Sequence, residues 1–501
     1  MKQLWLLVAV QATVAAASLV VEIVAGRMLA PYVGMSLYTW TSVIAVVLAG
    51  FSAGHWIGGR LAEGTPERAL RANGWALVLA ATTTGGAVFA LRGASGPVIA
   101  TLENPLAAIV TLSLLVFFLP SLFAGIPAPI LSMIAVQAHP DRKGRALGAM
   151  FAAGAWGAIL GTLAAGFLFI SWLGSVGTLA VVTVVYAVLG LQSLMAAGGL
   201  RDLGAGVLAA LLPGGLAACA LTLPNPCTVE SDYFCIRVID ATDDPRFPVR
   251  MMVLDHLVHG IADATEPTAM LNPHVMMLDG LSRLRMEGRA AWSAFFIGGG
   301  SYTVPRAWAA MDLPVAVTVA EVDPSVTQVA QEHFWYAPGD HRIVHADARQ
   351  TLQREDTTYD VIVGDAFSDI AVPQHLITRE FFELVDSRLN PGGVYLMNVI
   401  DHTDRLDVLA SLVRTARTVW PSVEVWADPA HDPRVTRRVF ILLAGETRSP
   451  RTRIHHDGPL PADAVRVSAA SLDRILEARD PVLFTDDYAP IDRLLGDHGE
   501  G

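Results

Sequence analysis

The sequence predicts a protein in two parts: an α-helical transmembrane bundle of about seven spans, then an α/β domain with a doubly wound, mostly parallel sheet. Only 16% of the 501 residues are charged and 53% are hydrophobic, whereas soluble domains carry about 25% charged residues. The charges are also unevenly placed. The first 223 residues contain ten basic and six acidic side chains, and the rest contain 25 and 41. A lipid-embedded part joined to an acidic soluble part accounts for both observations.

Seven long apolar segments are the candidate membrane spans, since a helix needs roughly 20 apolar residues to cross a bilayer. They are residues 4–25, 39–61, 74–91, 106–136, 146–172, 176–197 and 203–223. The first is longer than a secretion signal and leads into further spans, which is typical of a retained segment. The fourth contains three prolines, so it is either one kinked helix or a helix with a re-entrant piece.

Two of these segments carry small residues at every fourth position, which predicts close packing between helices. These residues are Gly50, Gly54 and Gly58 in the second segment and Gly157, Gly161 and Ala165 in the fifth. A seam inside the bundle is the expected role of both stripes.

The distribution of basic residues predicts the orientation of the bundle. With seven spans, one side receives eight lysines and arginines, and the other receives only Arg27 and Arg92. Because cytoplasmic loops carry the excess of basic residues, we expect a multi-pass protein of the cytoplasmic membrane with its N-terminus inside and its soluble part outside. If the fourth segment crosses twice, the soluble part lies inside instead.

Two cysteines, Cys227 and Cys235, follow the last span. Their spacing allows a disulfide, which fits an oxidising compartment, and the alternative is a pair of reduced buried thiols. The soluble part has no further cysteine, so a zinc site is disfavoured and no metal is expected.

The chain is expected to divide into a transmembrane domain at 1–223, a β-subdomain with a linking helix at 224–290, and a larger α/β domain at 291–501. Residues 232–241 and 249–257 alternate as in a small antiparallel sheet, and 274–284 predicts a helix. Short strands then alternate with helices, as in a doubly wound sheet. The predicted strands are 294–297, 315–322, 342–345, 359–364, 394–399, 423–427 and 439–443, with helices beginning near Val304, Ser325, Arg379 and Arg405.

Composition excludes some functions of the soluble part. Lys2 and Lys143 are the only lysines of the chain, which excludes Schiff-base chemistry and a lysine-linked pyridoxal phosphate in the soluble part. Its acidic balance argues against a nucleic-acid partner, because phosphate binding needs a basic surface. A small cationic or neutral substrate fits better.

Glycine and acidic residues follow four predicted strands in succession. Gly298, Gly299 and Gly300 end the first strand, and Glu321, Asp347 and Asp365 end the next three. In a doubly wound sheet, ligands bind at the carboxyl ends of the strands, where an acid about twenty residues after the glycines takes a ribose diol. The order GGGSY fails the G-x-G-x-x-G fingerprint of dinucleotide binding, and no phosphate-binding loop occurs. An adenosyl sulfonium suits this pattern best, although glycines after a strand also make plain turns and Asp365 could only cap one.

The residues around these strand ends resemble the polyamine aminopropyltransferases, the spermidine synthase family. The resemblance lies in the segments 295–300, 320–324, 346–349 and 359–365, with 230–233 and 254–255 similar to the N-terminal β-subdomain of that family. The closing segment 484–490, together with the N-terminal bundle, resembles more specifically the membrane-fused spermidine synthase-like proteins.

The resemblance implies a Rossmann-like sheet of the adenosylmethionine type and a cofactor that is decarboxylated S-adenosylmethionine or S-adenosylmethionine. It implies that Glu321 holds the ribose, that Asp347 holds the adenine, and that Asp365 is the acid at the reacting centre. The predicted cofactor site consists of Gly298, Gly299, Gly300, Ser301, Glu321, Asp347 and Ala348. The further candidates for binding the substrate are His259, His274, Asp369 and Tyr488.

The sequence departs from the family at three positions. Ser301 stands where the family has an acid, Asp365 and Asp369 are spaced by four rather than three, and His259 replaces a glutamine. Three functions therefore stay open: aminopropyl transfer to a small amine or polyamine, methyl transfer from ordinary S-adenosylmethionine, and a transporter or sensor that binds without catalysis. The lipid bilayer is the other expected partner, and a homo-oligomer stays open.

Overall fold

The computed structural model describes residues 4–102, 104–367, 371–430, 435–456 and 462–496. The chain forms two compact units. The first consists of Met1–Pro226 with Glu230–Cys235, and the second of Cys227–Val229 with Ile236–Gly501. The predicted boundary after Leu223 lies just before the observed one.

The first unit is a bundle of long apolar helices. They are α1 (Leu4–Val33), α2 (Leu37–Leu61), α3 (Pro66–Thr101), α4 (Pro105–Gly125), α5 (Pro127–Ala138), α6 (Lys143–Ala164), α7 (Ile170–Gly198) and α8 (Leu200–Thr222). Among the described residues, six helical stretches are long and apolar enough to cross a membrane, and one of them, Pro140–Gly198, has 59 residues. That stretch contains the fifth and sixth predicted spans, which explains why six are found where about seven are predicted.

Two junctions in the bundle bear on the number of crossings. At Gly174 the backbone leaves the helical region, with φ 66° and ψ 176°, because glycine has no Cβ to oppose a positive φ. At Ile126, between α4 and α5, the backbone keeps helical angles of −60° and −39°. The fourth predicted segment therefore continues in one direction through its prolines, as a kinked helix does.

The predicted small-residue stripes are seams between helices. A Cβ added to Gly54 or Gly58 would collide with main-chain carbonyl oxygens of the α4–α5 segment, and one added to Gly157 or Gly161 would collide with those of α1. The prediction of close packing is confirmed, because only glycine lets these backbones approach so far.

Next along the chain is a four-stranded sheet in the order β1-β2-β3-β4, formed by Val229–Glu230, Cys235–Asp240, Val249–Leu254 and Leu257–Asp263. The pairs β2–β3 and β3–β4 are antiparallel, as predicted, and Asp255 makes the tight turn between the last two strands with φ 54°. Cys227 and Cys235 are disulfide-bonded, whereas Cys219 is free and exposed.

The main sheet has nine strands among the described residues, in the order β12-β13-β10-β11-β9-β8-β5-β6-β7. The strands are β5 (Trp292–Ile297), β6 (Val315–Ala320), β7 (Arg342–Val344), β8 (Tyr359–Gly364), β9 (Leu389–His402), β10 (Ser422–Ala427), β11 (Arg437–Gly445), β12 (Arg453–His456) and β13 (Ala462–Arg466). The strands β5 to β9 are parallel, but β9 to β13 pair antiparallel. The predicted mostly parallel sheet is thus correct for only about half of the sheet.

Helices cover the main sheet. They are α9 (Pro273–Arg285), α10 (Thr303–Ala310), α11 (Pro324–His333), α12 (Ala348–Arg354), α13 (Arg379–Ser387), α14 (Asp407–Ala416), α15 (Ala469–Ala478) and α16 (Ile491–Leu495). Phe382, Tyr395 and Trp420 form a buried aromatic cluster in the apolar core on one face, with ring centroids 5.4–5.8 Å apart. The parallel strands reverse their order between β5 and β8, which is where a doubly wound sheet opens a crevice for a ligand.

Candidate cofactor and active site

The carboxyl ends of the five parallel strands are aligned in one row. The residues that pair across this row are Val344, Ala320, Ile297, Gly364 and Met397. Main-chain hydrogen bonds continue one step beyond, from Gly298 N to Ala320 O at 2.9 Å, from Glu321 N to Val344 O and from Asp365 N to Ile297 O at 3.0 Å each. The row of residues that follows the strands, here called the edge row, is His345, Glu321, Gly298, Asp365 and Asn398. This register places Glu321 and Asp365 on either side of Gly298.

The glycine loop is fixed by its own conformation. Gly298 and Gly300 have positive φ values of 91° and 51°. A Cβ on Gly298 would lie 2.7 Å from the main-chain oxygen of Asp365, and one on Gly300 would lie 2.9 Å from that of His259. The turn itself therefore requires glycine at both positions. Because they have no side chains, the main chain of Gly298 and Gly300 also stays open to a ligand, and this open stretch of main chain is called the cradle.

Glu321 is buried and accepts hydrogen bonds from the main-chain N–H of Gly299 at 2.8 Å and of Asp323 at 2.9 Å. Burial raises the pKa of this carboxyl, and the two N–H donors oppose the rise. A carboxylate has about four acceptor positions, and even with the N–H of Gly300, which also lowers the pKa of Glu321, capacity is left to accept from a ribose hydroxyl. This arrangement fits the predicted role of Glu321.

Asp347 caps the start of α12 and also pairs with a histidine. Its Oδ1 accepts from Gln350 N at 2.9 Å, and its Oδ2 lies 2.8 Å from His375 Nε2. The hydrogen bond with His375 lowers the pKa of Asp347. The N–H of Ala348 lies in the first turn of α12, where main-chain donors have no partner within the helix. Asp347 and Ala348 thus offer an acceptor and a donor side by side, as an adenine edge requires.

The C-terminal segment docks beside this helix. Arg349 on α12 donates to both carboxylate oxygens of Asp486, at 2.7 and 2.6 Å, and Thr378 donates to Asp486 at 2.7 Å. Tyr488 is half exposed, and its hydroxyl accepts from Arg493 at 3.0 Å. The described contacts do not bring Tyr488 to Asp365.

Asp365 lies at the end of β8, and its charge acts on two histidines, His259 and His274. Burial lowers the pKa of His259 to about 4 and also lowers that of His274, while the charge of Asp365 opposes both shifts. The ring of Phe367 meets the ring of His259 edge-on, with centroids 6.5 Å apart. Both histidines are therefore neutral at neutral pH.

Ser301 and Asp369 are the remaining predicted residues near the strand ends. The Ser301 side chain is buried, and its hydroxyl is 2.7 Å from that of Thr303. It fills the space next to Gly260. The prediction for Asp369 lies outside the described residues.

The sequence reasoning missed two residues of the site. Asn398 donates from Nδ2 to Oδ1 of Asp365 at 2.8 Å, and its position could have been found only from the register between β8 and β9. His375 lies in a short 3-10 turn and carries no signal in the sequence pattern. In the part of the chain that the structure describes, no group of three or more His, Cys, Asp or Glu side chains could hold a metal ion.

The part of the chain that forms this crevice is similar to a known protein family. Residues 290–428 match the family model described as the Spermine/spermidine synthase domain. The match runs from before β5 through β10 and includes the whole edge row. This part of the chain is therefore similar to that domain, and it is called the synthase domain below. The resemblance to the polyamine aminopropyltransferases that the sequence motifs indicated is thereby confirmed for this domain.

Relatives of the synthase domain carry two kinds of names. A probable polyamine aminopropyl transferase of Bifidobacterium longum is 36% identical over 107 residues, which are 21% of this chain and 24% of that protein. A polyamine aminopropyltransferase of Vibrio vulnificus is 35% identical over 115 residues, 22% of this chain and 38% of that protein. An N-terminal histidine N-methyltransferase of Emericella nidulans is 29% identical over 182 residues, 35% of this chain and 31% of that protein. The chain thus spans 24% to 38% of the length of these curated relatives.

Among solved structures, a probable spermidine synthase from Corynebacterium glutamicum is similar with a TM-score of 0.46 and 22% identity. The similarity covers 54% of this chain and 99% of that one.

Proposed function

We propose that the synthase domain transfers an aminopropyl group from decarboxylated S-adenosylmethionine to a small amine. The observation that carries this proposal is the edge row, which puts the main chain of Gly298 between the carboxylates of Glu321 and Asp365. The family match over residues 290–428 covers the same row. The cradle above Gly298 and the spare acceptor positions of Glu321 fit the adenosyl part of such a cofactor.

In the proposed reaction the amine nitrogen attacks the carbon next to the sulfonium. The new C–N bond forms as the C–S bond breaks, and the electron pair of that bond goes to sulfur, which leaves as a neutral thioether. The extra N–H proton passes to the carboxylate of Asp365. Because a neutral thioether leaves readily, the main task of the protein is to orient the amine.

The two histidines support this chemistry by being uncharged. A protonated imidazole next to Asp365 would repel both a sulfonium and an ammonium group. Burial keeps His259 and His274 neutral, so their rings can accept N–H bonds from an amine without adding a positive charge. The proposal thus gives both histidines the substrate-binding role that the sequence predicts for them.

Methyl transfer is the second candidate function of the same site. The match to an N-methyltransferase extends over 182 residues, more than the two aminopropyltransferase matches above. Ser301 in place of an acid also removes a negative charge that would repel the carboxylate of ordinary S-adenosylmethionine. The group transferred is then a methyl, with the same glycine loop and Glu321.

The experiment that separates the candidates uses the full chain in detergent or nanodiscs. It is incubated with either sulfonium and a panel of mono-, di- and polyamines, and the nucleoside product is identified by mass spectrometry. Methylthioadenosine is expected under the first proposal, and adenosylhomocysteine supports the second. Binding of a sulfonium without turnover by any amine would contradict both and favour a sensor or transporter.

We further propose that the synthase domain faces the outside of the cytoplasmic membrane. Arg27, near the end of α1, donates to the carbonyls of Ser231 and Tyr233 at 2.6 and 2.5 Å. Ser175, next to the break between the two halves of the 59-residue stretch, donates its N–H to Glu230 at 3.0–3.1 Å. Glu230, Ser231 and Tyr233 follow α8 in the chain. Their contacts therefore support a bundle in which α1, the helix before Gly174 and α8 all end on the same side of the membrane.

Such a bundle crosses the membrane an odd number of times, with the loops rich in basic residues on the opposite side. By the positive-inside rule that opposite side is the cytoplasm, and the disulfide-bonded state of Cys227 and Cys235 fits an oxidising outer compartment. Single cysteines test this in a Cys219→Ser background. In intact cells, an impermeant maleimide should label Asp243→Cys but not Glu63→Cys, and the reverse pattern would contradict the orientation.

A further inference from the structure

Asn398 is placed beside Asp365 by the register of two parallel strands. Gly364 of β8 pairs with Met397 of β9, so the residues that follow them are neighbours. Asn398 donates from Nδ2 to Oδ1 of Asp365 at 2.8 Å. Because an ionised carboxylate only accepts hydrogen bonds, the amide must turn its NH2 towards Asp365 and its Oδ1 elsewhere.

The other end of the amide is buried without a partner. Asn398 is 3% exposed, and within the described structure its Oδ1 is buried and accepts no hydrogen bond. A buried carbonyl oxygen that loses its water without gaining a donor destabilises the fold, and such a group in a native protein calls for an explanation. An apolar side chain of similar size would avoid this cost, so packing does not explain an amide here.

The alternation of β9 supports the same conclusion. Tyr395, Met397 and Val399 point into the apolar core on one face of the sheet, and strand geometry puts Asn398 on the opposite face. What the amide provides at this point is the NH2 that holds Asp365.

Asp365 itself is held from two sides. Its main-chain N–H donates to Ile297 O at 3.0 Å, and its Oδ1 accepts from Asn398. In the described residues its Oδ2 accepts no hydrogen bond. The carboxylate is thus oriented through one oxygen and open at the other.

We infer that Asn398 is a positioning residue that occupies Oδ1 of Asp365 and leaves Oδ2 as the oxygen that receives the proton of the amine. This inference rests on the proposed function. As the C–N bond forms and the C–S bond breaks, the N–H proton moves to Oδ2, and Oδ1 keeps its bond to the amide. In this inference Asn398 acts through Asp365 and not on the amine or the sulfonium directly, so its loss should affect the rate of transfer rather than binding.

A matched pair on the same two strands separates positioning from folding. Asn390, at the amino end of β9, donates to Oδ1 of Asp360 at 3.2 Å. Asp360 and Asp365 are five residues apart along β8 and its continuation, which is about 16 Å at 3.3 Å per residue. The Asn390–Asp360 pair therefore has the same chemistry but lies far from the edge row.

The test compares Asn398→Leu and Asn398→Asp with Asn390→Leu in the full chain. We expect both Asn398 variants to lower kcat about 10- to 100-fold, with the KM for the amine and the Kd for the sulfonium within about twofold. The melting temperature of Asn398→Leu should be unchanged or higher, since the unpaired Oδ1 is gone. Asn390→Leu should lower the melting temperature and leave kcat unchanged.

Two results would overturn the inference alone: a kcat within twofold for both Asn398 variants, or a loss of kcat that follows a loss of folded protein. Absence of turnover by the unmodified chain with every amine and sulfonium would instead overturn the proposed function, and the inference with it. The two failures are therefore distinguishable in the same experiment.

Discussion

The two ends of strand β8 each carry an aspartate, and the protein surrounds them very differently. At the amino end, Asp360 accepts from Arg289 at 2.5 Å, from Asn390 at 3.2 Å, and from the N–H and hydroxyl of Ser293 at 2.8 and 3.0 Å. At the carboxyl end, Asp365 accepts from one amide among the described residues. The carboxylate of Asp360 is thus surrounded by donors, including a cation, whereas that of Asp365 keeps an acceptor oxygen open, as the proposed function requires.

The same contrast holds for glycine in the two units. In the bundle, Gly54 and Gly157 let helices approach, because a Cβ would collide with a neighbouring backbone. In the synthase domain, Gly298 combines a close approach to Asp365 with a φ of 91° that other residues avoid. The first kind of glycine builds a seam, and the second kind shapes a site.

The largest expected effect is on the two aspartates of β8. Asp365→Asn should lower kcat about 10³-fold, since it removes the proton acceptor, and should leave the melting temperature nearly unchanged. Asp360→Asn should do the opposite and cost about 2 kcal/mol of stability, because a donor then faces donors. Steady-state kinetics and thermal unfolding of both variants check this. Equal losses of kcat in the two would remove the distinction between the ends of β8.

The next effect concerns two glycines with positive φ. Gly298→Ala should weaken sulfonium binding about 10- to 100-fold. An alanine at this positive φ is strained by about 1–3 kcal/mol, and its Cβ would clash with the main chain of Asp365 next to the proposed cofactor position. Gly392 also has a positive φ, 74°, but lies at the amino end of β9. Gly392→Ala should therefore destabilise the fold and leave the Kd within about twofold, as calorimetry with each sulfonium would show. A similar change of the Kd in both glycine variants would show that general backbone strain, and not the position of Gly298, weakens binding.

The positions of Glu321 and Asp365 could be predicted from the sequence because they depend only on where strands end. The predicted strand 359–364 coincides with β8, and carboxyl ends of parallel strands meet at one edge. Asn398 could not be predicted, since it lies within the predicted strand 394–399, and only the pairing of Met397 with Gly364 makes it a neighbour of Asp365. The antiparallel half of the sheet was missed for a related reason, because strand patterns do not show direction.

Side-chain direction was a second limit of the sequence. Ser301 follows the glycines directly, yet its hydroxyl turns to Thr303 because the neighbouring Gly260 leaves room for it. Nothing in the order of residues shows which way such a short side chain points. The break at Gly174 is the opposite case, since the sequence separates the apolar segments 146–172 and 176–197, whereas the structure joins them in one helical stretch interrupted by this one positive φ.

A smaller effect is expected on the dependence of stability on pH. The pKa of His259 is about 4 in the folded protein, below the ordinary value near 6.5, so the unfolded chain binds more protons between these values. Stability should therefore fall as the pH drops from about 6.5 to about 4, and His259→Gln should flatten this fall by about 1–2 kcal/mol at pH 5. Denaturant unfolding at several pH values measures it. An unchanged slope in the variant would show that other groups, including His274, cause the loss.

The smallest effect tests Asp347, whose surroundings are intermediate between those of Asp360 and Asp365. Asp347 caps α12 and pairs with His375, and both side chains of the pair are partly exposed, 27% and 47%. Exposed pairs contribute at most about 1 kcal/mol, so His375→Ala should change the Kd for either sulfonium less than about fivefold. Asp347→Asn should weaken binding more, because it replaces an acceptor of the adenine amine with a donor while an amide can still cap α12. If His375→Ala had the larger effect, the histidine rather than the carboxylate would be the group that holds the adenine base. Asp347, which already caps α12, would then not belong to the cofactor site.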